Sequence, residues 1–116
     1  MIFLFLNLFY SKGGLEMLNV NYEYKGGVLF VRLSGNLDSR NIYLLSNSIK
    51  QVVKIGGIRY TVINLENVYA LNDSYIRFLM EDIKDTKVYL CGYNSDNYGS
   101  DCLLSREKNI FNYINL

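Results

Sequence analysis

The sequence predicts an α/β domain that opens with a β-hairpin and continues with strands alternating with helices. Two observations support this class. Short apolar runs typical of buried strands recur along the chain, and apolar residues at spacings of three and four occupy the stretches between them. Strands that alternate with helices pair in parallel through right-handed crossovers, so the predicted element order is β-β-α-β-α-β.

The N-terminal hairpin is predicted from an alternating run, a glycine pair and an apolar run. Polar and apolar residues alternate over residues 19–24, which is typical of a strand with one buried face. Gly26-Gly27 follows and supplies the positive φ of a tight turn. Residues 28–33 are apolar on both faces, as in a sheet covered on both sides. We expect this strand to end at Ser34-Gly35-Asn36.

The first helix is predicted between this strand and Gly56-Gly57. Asp38 or Ser39 is expected to cap its N-terminus, because both side chains accept hydrogen bonds from free backbone N–H groups. The apolar residues of the helix fall three and four apart, so one face is buried. They are Ile42, Leu45, Ile49 and Val52.

A second strand, a second helix and a third strand follow. The strands are predicted over residues 60–65 and 87–91, and Asn72 is expected to cap the helix between them. A loop rich in Gly, Asn, Ser and Asp then occupies residues 92–100. The apolar stripe of the second helix consists of Ile76, Leu79, Met80 and Ile83.

Beyond Ser100 the apolar pattern weakens. We expect a poorly formed helix that opens at residues 102–104 and a short extended tail over residues 109–116. The wholly polar run over residues 105–109 separates these two apolar stretches. The predicted domain therefore lacks a well-formed final helix.

Residues 1–16 are expected to lie outside the fold. The apolar run over residues 1–10 is only about half the roughly 20 residues of a membrane span, and no basic residue precedes it. One codon choice for Lys12-Gly13-Gly14, AAA-GGA-GGN, is a bacterial ribosome-binding sequence at the usual short distance ahead of Met17. We therefore interpret residues 1–16 as a translated leader and residues 17–116 as a single domain.

Composition excludes several classes of function. Twelve Lys and Arg against eleven Asp and Glu leave a net charge of +1, so no strong basic field is available to hold nucleic acid. The chain has no histidine, which removes Ser-His and Cys-His nucleophile pairs and every His-containing metal site. Cys91 and Cys102 are too few for a disulfide framework or a thiolate metal site. We interpret them as small buried hydrophobes in a reduced cytosol.

Two segments in register carry a resemblance to a known family. Residues 27–38 read Gly-Val-Leu-Phe-Val-Arg-Leu-Ser-Gly-Asn-Leu-Asp, and residues 62–74 read Val-Ile-Asn-Leu-Glu-Asn-Val-Tyr-Ala-Leu-Asn-Asp-Ser. With a helix between them and no gap in their spacing, they resemble the STAS domain, and most of all the bacterial anti-sigma factor antagonists. The likeness covers residues 20–91. The resemblance implies a mixed β-sheet with an N-terminal β-hairpin and helices packed on it. This chain departs from the family because the expected final helix is missing.

The resemblance implies regulation by partner switching. Members of this family dock on an anti-sigma factor that is also a serine kinase, and phosphorylation of the first Ser in an Asp-Ser-Ser-Gly turn abolishes docking. Asn72, Asp73, Ser74 and Tyr75 occupy that turn here, so Asp73 stands at the phosphorylated position. The likeness therefore implies a locked, phospho-like state or control that is independent of phosphorylation at this position. Ser74 is an alternative phosphosite.

The same turn has a purely structural interpretation. Asn72, Asp73 and Ser74 are good cap and first-turn residues for any helix, where they contribute about 1 kcal/mol. Because the two segments are in register, we favour a docking surface whose switch is altered. Tyr43, Tyr69 and Tyr75 are expected to be exposed and to include interface anchors. The expected partner contacts are Asn36, which replaces a family Glu, with Asp38, Tyr69 and Arg77.

Two functions from different classes stay open at this point. The first is a cytoplasmic protein-binding regulator that resembles an anti-sigma factor antagonist. The second is an accessory STAS subunit of a membrane transport complex, which needs no phosphorylatable serine. A third function, an enzyme, is not expected, because the sequence shows no nucleophile-base pair, no Gly-rich phosphate loop and no metal cluster. We predict no catalytic residue, cofactor, nucleic-acid partner or membrane insertion, and we leave the oligomeric state open.

Overall fold

A six-stranded mixed sheet with α-helices on one face organises the chain in the computed structural model, which describes residues 4–10, 17–94, 98–99 and 101–114. The elements in chain order are β1 (Leu4–Tyr10), β2 (Met17–Lys25), β3 (Val28–Asn36), α1 (Asn41–Gly56), β4 (Tyr60–Tyr69), α2 (Asp73–Asp82), β5 (Lys87–Cys91), β6 (Leu103–Leu104) and a 3₁₀ helix (Glu107–Asn112).

Strand order in the sheet follows the order in the sequence. The first three strands pair antiparallel, and β3, β4, β5 and β6 pair in parallel. Gly26 and Gly27 form the turn between β2 and β3 with φ values of 60° and 81°, which side chains with a Cβ rarely adopt. The predicted β-β-α-β-α-β order is confirmed for β2 to β5.

Both α-helices pack on the same face of the sheet. Leu45 and Ile49 on α1 and Leu79 on α2 have no exposed area and lie in one cluster with β3 residues such as Val31. These are the residues that spacings of three and four place on the buried stripes. The main core of the domain therefore lies between the helices and the sheet.

The opposite face of the sheet has a smaller apolar cluster. Phe30, Val62 and Cys91 are buried there, and Ile110 of the 3₁₀ helix covers them. This arrangement confirms that the strand over residues 28–33 is apolar on both faces because both faces are covered. The C-terminal segment thus covers the face of the sheet that the α-helices leave open.

Polar side chains define where the helices begin. The carboxylate of Asp38 accepts hydrogen bonds from the backbone N–H groups of Arg40 and Asn41 at 2.8 and 2.9 Å. At α2, Oδ1 of Asn72 accepts a hydrogen bond from the N–H of Ser74 at 2.9 Å. The expected cap Asn72 is therefore confirmed for α2. At α1 the N-cap position is Arg40, which makes no side-chain cap hydrogen bond, so Asp38 binds the N–H groups of this end from two residues before the cap.

Strands β3 and β4 are longer than predicted. The sequence places their ends at Leu33 and Leu65, whereas they pair as far as Asn36 opposite Tyr69. A register shift between Arg32 and Ser34 interrupts the ladder, after which pairing resumes. Such an irregularity absorbs an extra residue without ending the sheet, so the polar residues that predicted a break lie within a strand.

The C-terminal prediction is wrong in two places. Leu103 and Leu104 form β6 rather than opening a helix, because the backbone N–H of Leu90 donates to the carbonyl of Cys102 at 2.7 Å and extends the sheet. Asn109 to Asn112 belong to the 3₁₀ helix rather than to an extended tail. Ile110 is fully buried against the sheet, and that tertiary contact outweighs the polar character of the local sequence.

The N-terminal segment also differs from the expectation. β1 pairs antiparallel with β2 at the edge of the sheet, from Leu4 opposite Glu23 to Tyr10 opposite Met17. An edge strand has unpaired N–H and C=O groups, and an apolar run close in sequence satisfies them. Residues 4–10 therefore contribute a strand although they were expected to add nothing, while residues 1–3 and 11–16 lie outside the described residues. A translation start at Met17 stays a prediction.

Candidate functional site

The first turn of α2 is an exposed polar turn at one end of the sheet. Asn72, Asp73 and Ser74 are all exposed. Oδ1 of Asn72 accepts from the N–H of Ser74 and also from its hydroxyl at 2.6 Å. Just before the turn, Ala70 adopts a φ of 47°, which costs a residue with a Cβ about 1–2 kcal/mol. The surrounding structure therefore holds this turn in one shape.

The carboxylate of Asp73 is bound by the loop that follows β5. The hydroxyl of Tyr93 donates a hydrogen bond to Oδ1 of Asp73, and the Tyr93 side chain is buried. The ring of Tyr98 packs against the Tyr93 ring with centroids 6.0 Å apart. The position matched to the family phosphosite thus carries a negative charge that is held by a tyrosine on a neighbouring loop.

Tyr93 was not among the residues that the sequence singled out. Together with Tyr98, it lies in a loop otherwise made of Gly, Asn, Ser and Asp, and aromatic residues in such a loop are a signal that sequence reasoning can use. Its partner on α2 is not predictable from spacing, since Asp73 lies twenty residues earlier in the chain. The parallel pairing of β4 with β5 brings the two segments together.

Three other expected contacts lie at the same end of the sheet. Asn36 and Tyr69 are the paired last residues of β3 and β4, and Asp38 lies between β3 and α1, where its carboxylate accepts a hydrogen bond from the N–H of Asn41. Tyr69 is 71% exposed. The carboxyl ends of parallel strands meet at one edge, so the structure brings these residues to the edge where α2 begins.

Of the three remaining residues that were expected to be exposed, two are exposed and one is not. Arg77 is exposed one turn into α2, as expected. Tyr75, which was expected to be exposed, is half-buried and packs against the main core. Tyr43 is exposed, and its ring meets the edge of the Phe78 ring at a centroid distance of 5.0 Å. This aromatic pair joins α1 to α2 beside the polar turn.

A charged cluster below this pair fixes α1 against α2. The carboxylate of Asp82 lies 2.8 Å from Nζ of Lys50 and accepts a hydrogen bond from the Ser46 hydroxyl at 2.5 Å. The hydrogen bonds from Lys50 and Ser46 hold the pKa of Asp82 below its usual range. These contacts connect the outer faces of the two helices.

Gly92 places the Tyr93 loop against β4. Gly92 has a φ of 78°, and a Cβ on it would lie 2.5 Å from Cγ and 2.7 Å from the backbone N of Glu66. Gly57, which ends α1, has a φ of 61° and nothing within 4 Å of such a Cβ. The two glycines share a backbone conformation but differ in their surroundings.

Gly92→Ala is expected to lower the free energy of unfolding by about 2–4 kcal/mol, since backbone strain and steric overlap both act. Gly57→Ala is the matched control, and strain alone predicts a loss of about 1–2 kcal/mol. Urea titration of both variants measures the difference. Equal losses would show that the close approach to Glu66 does not constrain this loop.

A polar network attaches the C-terminal segment to the opposite face of the sheet. Nε and Nη2 of Arg32 donate to the two carboxylate oxygens of Glu107, each at 2.9 Å. Asn64 donates to Glu107 at 2.8 Å, and Glu23 lies 2.9 Å from Arg32. Burial raises the pKa of Glu107, but the hydrogen bonds from Arg32 and Asn64 outweigh it and hold the pKa below its usual value of 4.5.

The Glu107 carboxylate is therefore expected to stabilise the fold in a pH-dependent way. A depressed pKa means that the folded state binds fewer protons than the unfolded state, so the contribution is full above about pH 5 and is lost as the pH falls below 4.5. Glu107→Gln is expected to cost about 1 kcal/mol at pH 7. The difference from wild type is expected to shrink between about pH 5 and pH 3 in urea titrations. A constant difference across that range would exclude this ionic contribution.

Burial raises the pKa of the Cys91 thiol to about 12, and the hydrogen bond to Glu66 adds to this, so the thiol stays protonated and is a weak nucleophile. Among the described residues, no group of three His, Cys, Asp or Glu side chains is placed to hold a metal ion. Within the same residues, no helix is both long and apolar enough to cross a membrane.

Comparison with known families identifies the fold. The family model for the STAS domain matches residues 19–97. The chain belongs to the STAS domain family. The match runs from β2 through the loop after β5, and it includes the polar turn of α2 and Tyr93. β1, β6 and the 3₁₀ helix lie outside it. STAS domains are regulatory or binding modules, which agrees with a site made of exposed turn residues and aromatic side chains.

Proposed function

We propose that this STAS domain is a non-enzymatic, cytoplasmic regulator of the anti-sigma factor antagonist kind, which acts by docking on an anti-sigma factor that is also a serine kinase. The observation that carries the proposal is the exposed turn Asn72-Asp73-Ser74 at the start of α2, in register with the family's phosphorylated turn. Asn36, Asp38 and Tyr69 lie at the same end of the sheet.

Asp73 gives the proposed regulator a fixed charge where its relatives switch theirs. A phosphoserine carries about −1.5 to −2 charges at neutral pH, whereas Asp73 carries one that Tyr93 binds. The hydrogen bond to Tyr93 ties the loop after β5 to α2, as a phosphate at this position would by accepting the same donor. We infer either a turn that resembles the phosphorylated form, in which docking is weakened until the state is released, or a turn that docks without control by phosphorylation at this position.

Ser74 is the alternative phosphosite. Its side chain is exposed, and its hydroxyl donates to Oδ1 of Asn72. Transfer of a phosphate to this oxygen removes that donor and adds charge beside Asp73, so phosphorylation of Ser74 would weaken the cap as well as the docking surface.

One observation favours the second candidate function, an accessory subunit of a membrane transport complex. The regulated position holds Asp73 rather than a serine, and a transport subunit needs no phosphorylatable residue there. The docking surface would be the same end of the sheet, so the two candidates differ in the partner rather than in the site.

An affinity capture experiment tests the proposal. The tagged domain is incubated with cytosolic and membrane fractions of its native cell, and bound proteins are identified by mass spectrometry. Capture of an anti-sigma factor with a serine kinase domain supports the first function, and capture of an ATP-binding transport subunit supports the second.

Two tyrosine variants test whether the captured protein binds at this site. Tyr69→Ala removes an exposed side chain at the end of the sheet where α2 begins. Truncation of an interface anchor costs about 2 kcal/mol or more, so the affinity for the partner is expected to fall about thirtyfold. Tyr113→Ala is the matched control, because Tyr113 is 52% exposed and packs on Tyr89 of the opposite face. Equal capture by both variants would place the partner elsewhere.

A further inference from the structure

The end of the sheet opposite the polar turn carries positive charge that the net charge of +1 conceals. β4 and β5 begin there, with Tyr60 opposite Lys87. The backbone N–H of Lys87 donates to the carbonyl of Arg59 at 2.9 Å. Both helices end directly before these strands, which brings Lys54 and Lys84 to the same end. We call Lys54, Arg59, Lys84 and Lys87 the basic end.

The charges of the basic end are only partly neutralised within the domain. Among the residues that the structure describes, none of its four cations forms an ion pair. The nearby Lys50 and Asp82 neutralise each other at 2.8 Å. One carboxylate, Asp85, lies among the residues that line the pocket between Arg59 and Lys87. Three positive charges therefore stay in excess at this end.

An apolar side chain projects beside these cations. Ile55, in the last turn of α1 next to Lys54, is 88% exposed. The two residues that follow it, Gly56 and Gly57, are exposed as well. A single exposed isoleucine is common on protein surfaces, but basic side chains around an exposed apolar one have the composition of surfaces that bind at membrane interfaces.

We propose that the basic end binds the surface of a membrane rich in anionic phospholipid, with Ile55 entering the headgroup region. Each Lys or Arg near such a surface contributes about 1 kcal/mol, which is about fivefold in binding. This inference goes beyond the proposed function and does not rest on it. The polar turn of α2 lies at the other end of the parallel strands, so it faces away from the lipid and stays available to a protein partner.

The form of the pocket favours a lipid surface over a small phosphate ligand. Arg59, Lys84, Asp85, Thr86 and Lys87 line a pocket of about 440 Å³ that is open to solvent. A small molecule is held by burying most of its surface, and this pocket is too open to solvent to do so. Flexible lysines act as separate point charges, which suits many headgroups spread over a plane.

Vesicle flotation with the full chain tests this inference. Wild type is expected to float with phosphatidylcholine vesicles that contain phosphatidylglycerol, to stay unbound with phosphatidylcholine alone, and to dissociate at about 1 M salt, where the Debye length is about 3 Å. Lys84→Gln with Lys87→Gln is expected to weaken binding about 25-fold. Ile55→Ser is expected to weaken it about tenfold, since less apolar area enters the interface.

Arg106→Gln with Lys108→Gln is the matched control, because it removes the same charge from exposed residues around the 3₁₀ helix. This variant is expected to lose less than about fivefold. An equal loss in both double variants would show only a general effect of net charge and would overturn the inference. Binding to poly-glutamate without binding to anionic vesicles would also overturn it and would indicate an acidic protein as the partner of this end.

Discussion

Leu45→Ala is expected to lower the free energy of unfolding by about 2–5 kcal/mol, the cost of a cavity in a well-packed core. Leu45 lies in the second turn of α1 and has 0% exposed area, packed between the helix and the sheet. The loss combines the transfer free energy of the removed methyl groups with the contacts that their neighbours no longer make.

Leu44→Ala is the control for that prediction. It makes the same chemical change one residue earlier on the same helix, where the side chain is 51% exposed, so a loss below about 1 kcal/mol is expected. Urea titration of both variants measures the two losses. A larger loss for Leu44→Ala would mean that the buried face of α1 has been assigned to the wrong side of the helix.

The elements from β2 to β5 are predictable from the sequence for a physical reason. The signals there are local, since Ile42, Leu45 and Ile49 recur at helical spacing and Asn72 carries the oxygen that caps the next helix. Such preferences agree with the tertiary structure along this part of the chain, as expected of a sequence that specifies one fold. The family resemblance depended on the same residues.

The errors fall where structure depends on distant partners. Leu103 and Leu104 form a strand because β5 offers a free edge, and the 3₁₀ helix is held by Glu107, which contacts Arg32 seventy-five residues earlier. No local pattern reports either contact. The basic end was not predictable from composition, because the net charge is near zero and only the fold collects Lys54, Arg59, Lys84 and Lys87 at one end.

The turn of α2 was predictable in its position but not in its contacts. Its cap followed from the residue type of Asn72, whereas the bond between Tyr93 and Asp73 required the fold. Because of that hydrogen bond, a substitution at Asp73 has two effects that an experiment must separate. A substitution at Asp73 removes a negative charge and also frees the loop after β5.

Asp73→Ser is expected to turn this domain into a substrate of a family-type kinase. The wild-type domain is expected to bind such an anti-sigma factor weakly and to receive no phosphate at position 73, because a carboxylate has no hydroxyl to accept it. The serine variant removes one negative charge from the docking surface, so binding is expected to strengthen by about tenfold. Adding Asn72→Asp rebuilds more of the family turn and is expected to strengthen both effects.

Tyr75→Gly completes the family turn at a structural cost. Tyr75 is half-buried against the main core, so its loss removes packing and is expected to lower the free energy of unfolding by about 3 kcal/mol. The double variant Asn72→Asp with Asp73→Ser is therefore the better test of the switch, and the triple variant is compared with it only at a temperature where both are folded.

Tyr93→Phe separates the two consequences of changing Asp73. It breaks the hydrogen bond to the loop but keeps the carboxylate, so stronger binding in Asp73→Ser and not in Tyr93→Phe assigns the effect to charge. Mass spectrometry after incubation with kinase and ATP locates any phosphate, and Ser74→Ala tests the alternative site. Phosphate on Ser74 of the wild-type chain, with loss of partner binding, would overturn the locked state and make this an ordinary switch whose serine has moved by one residue.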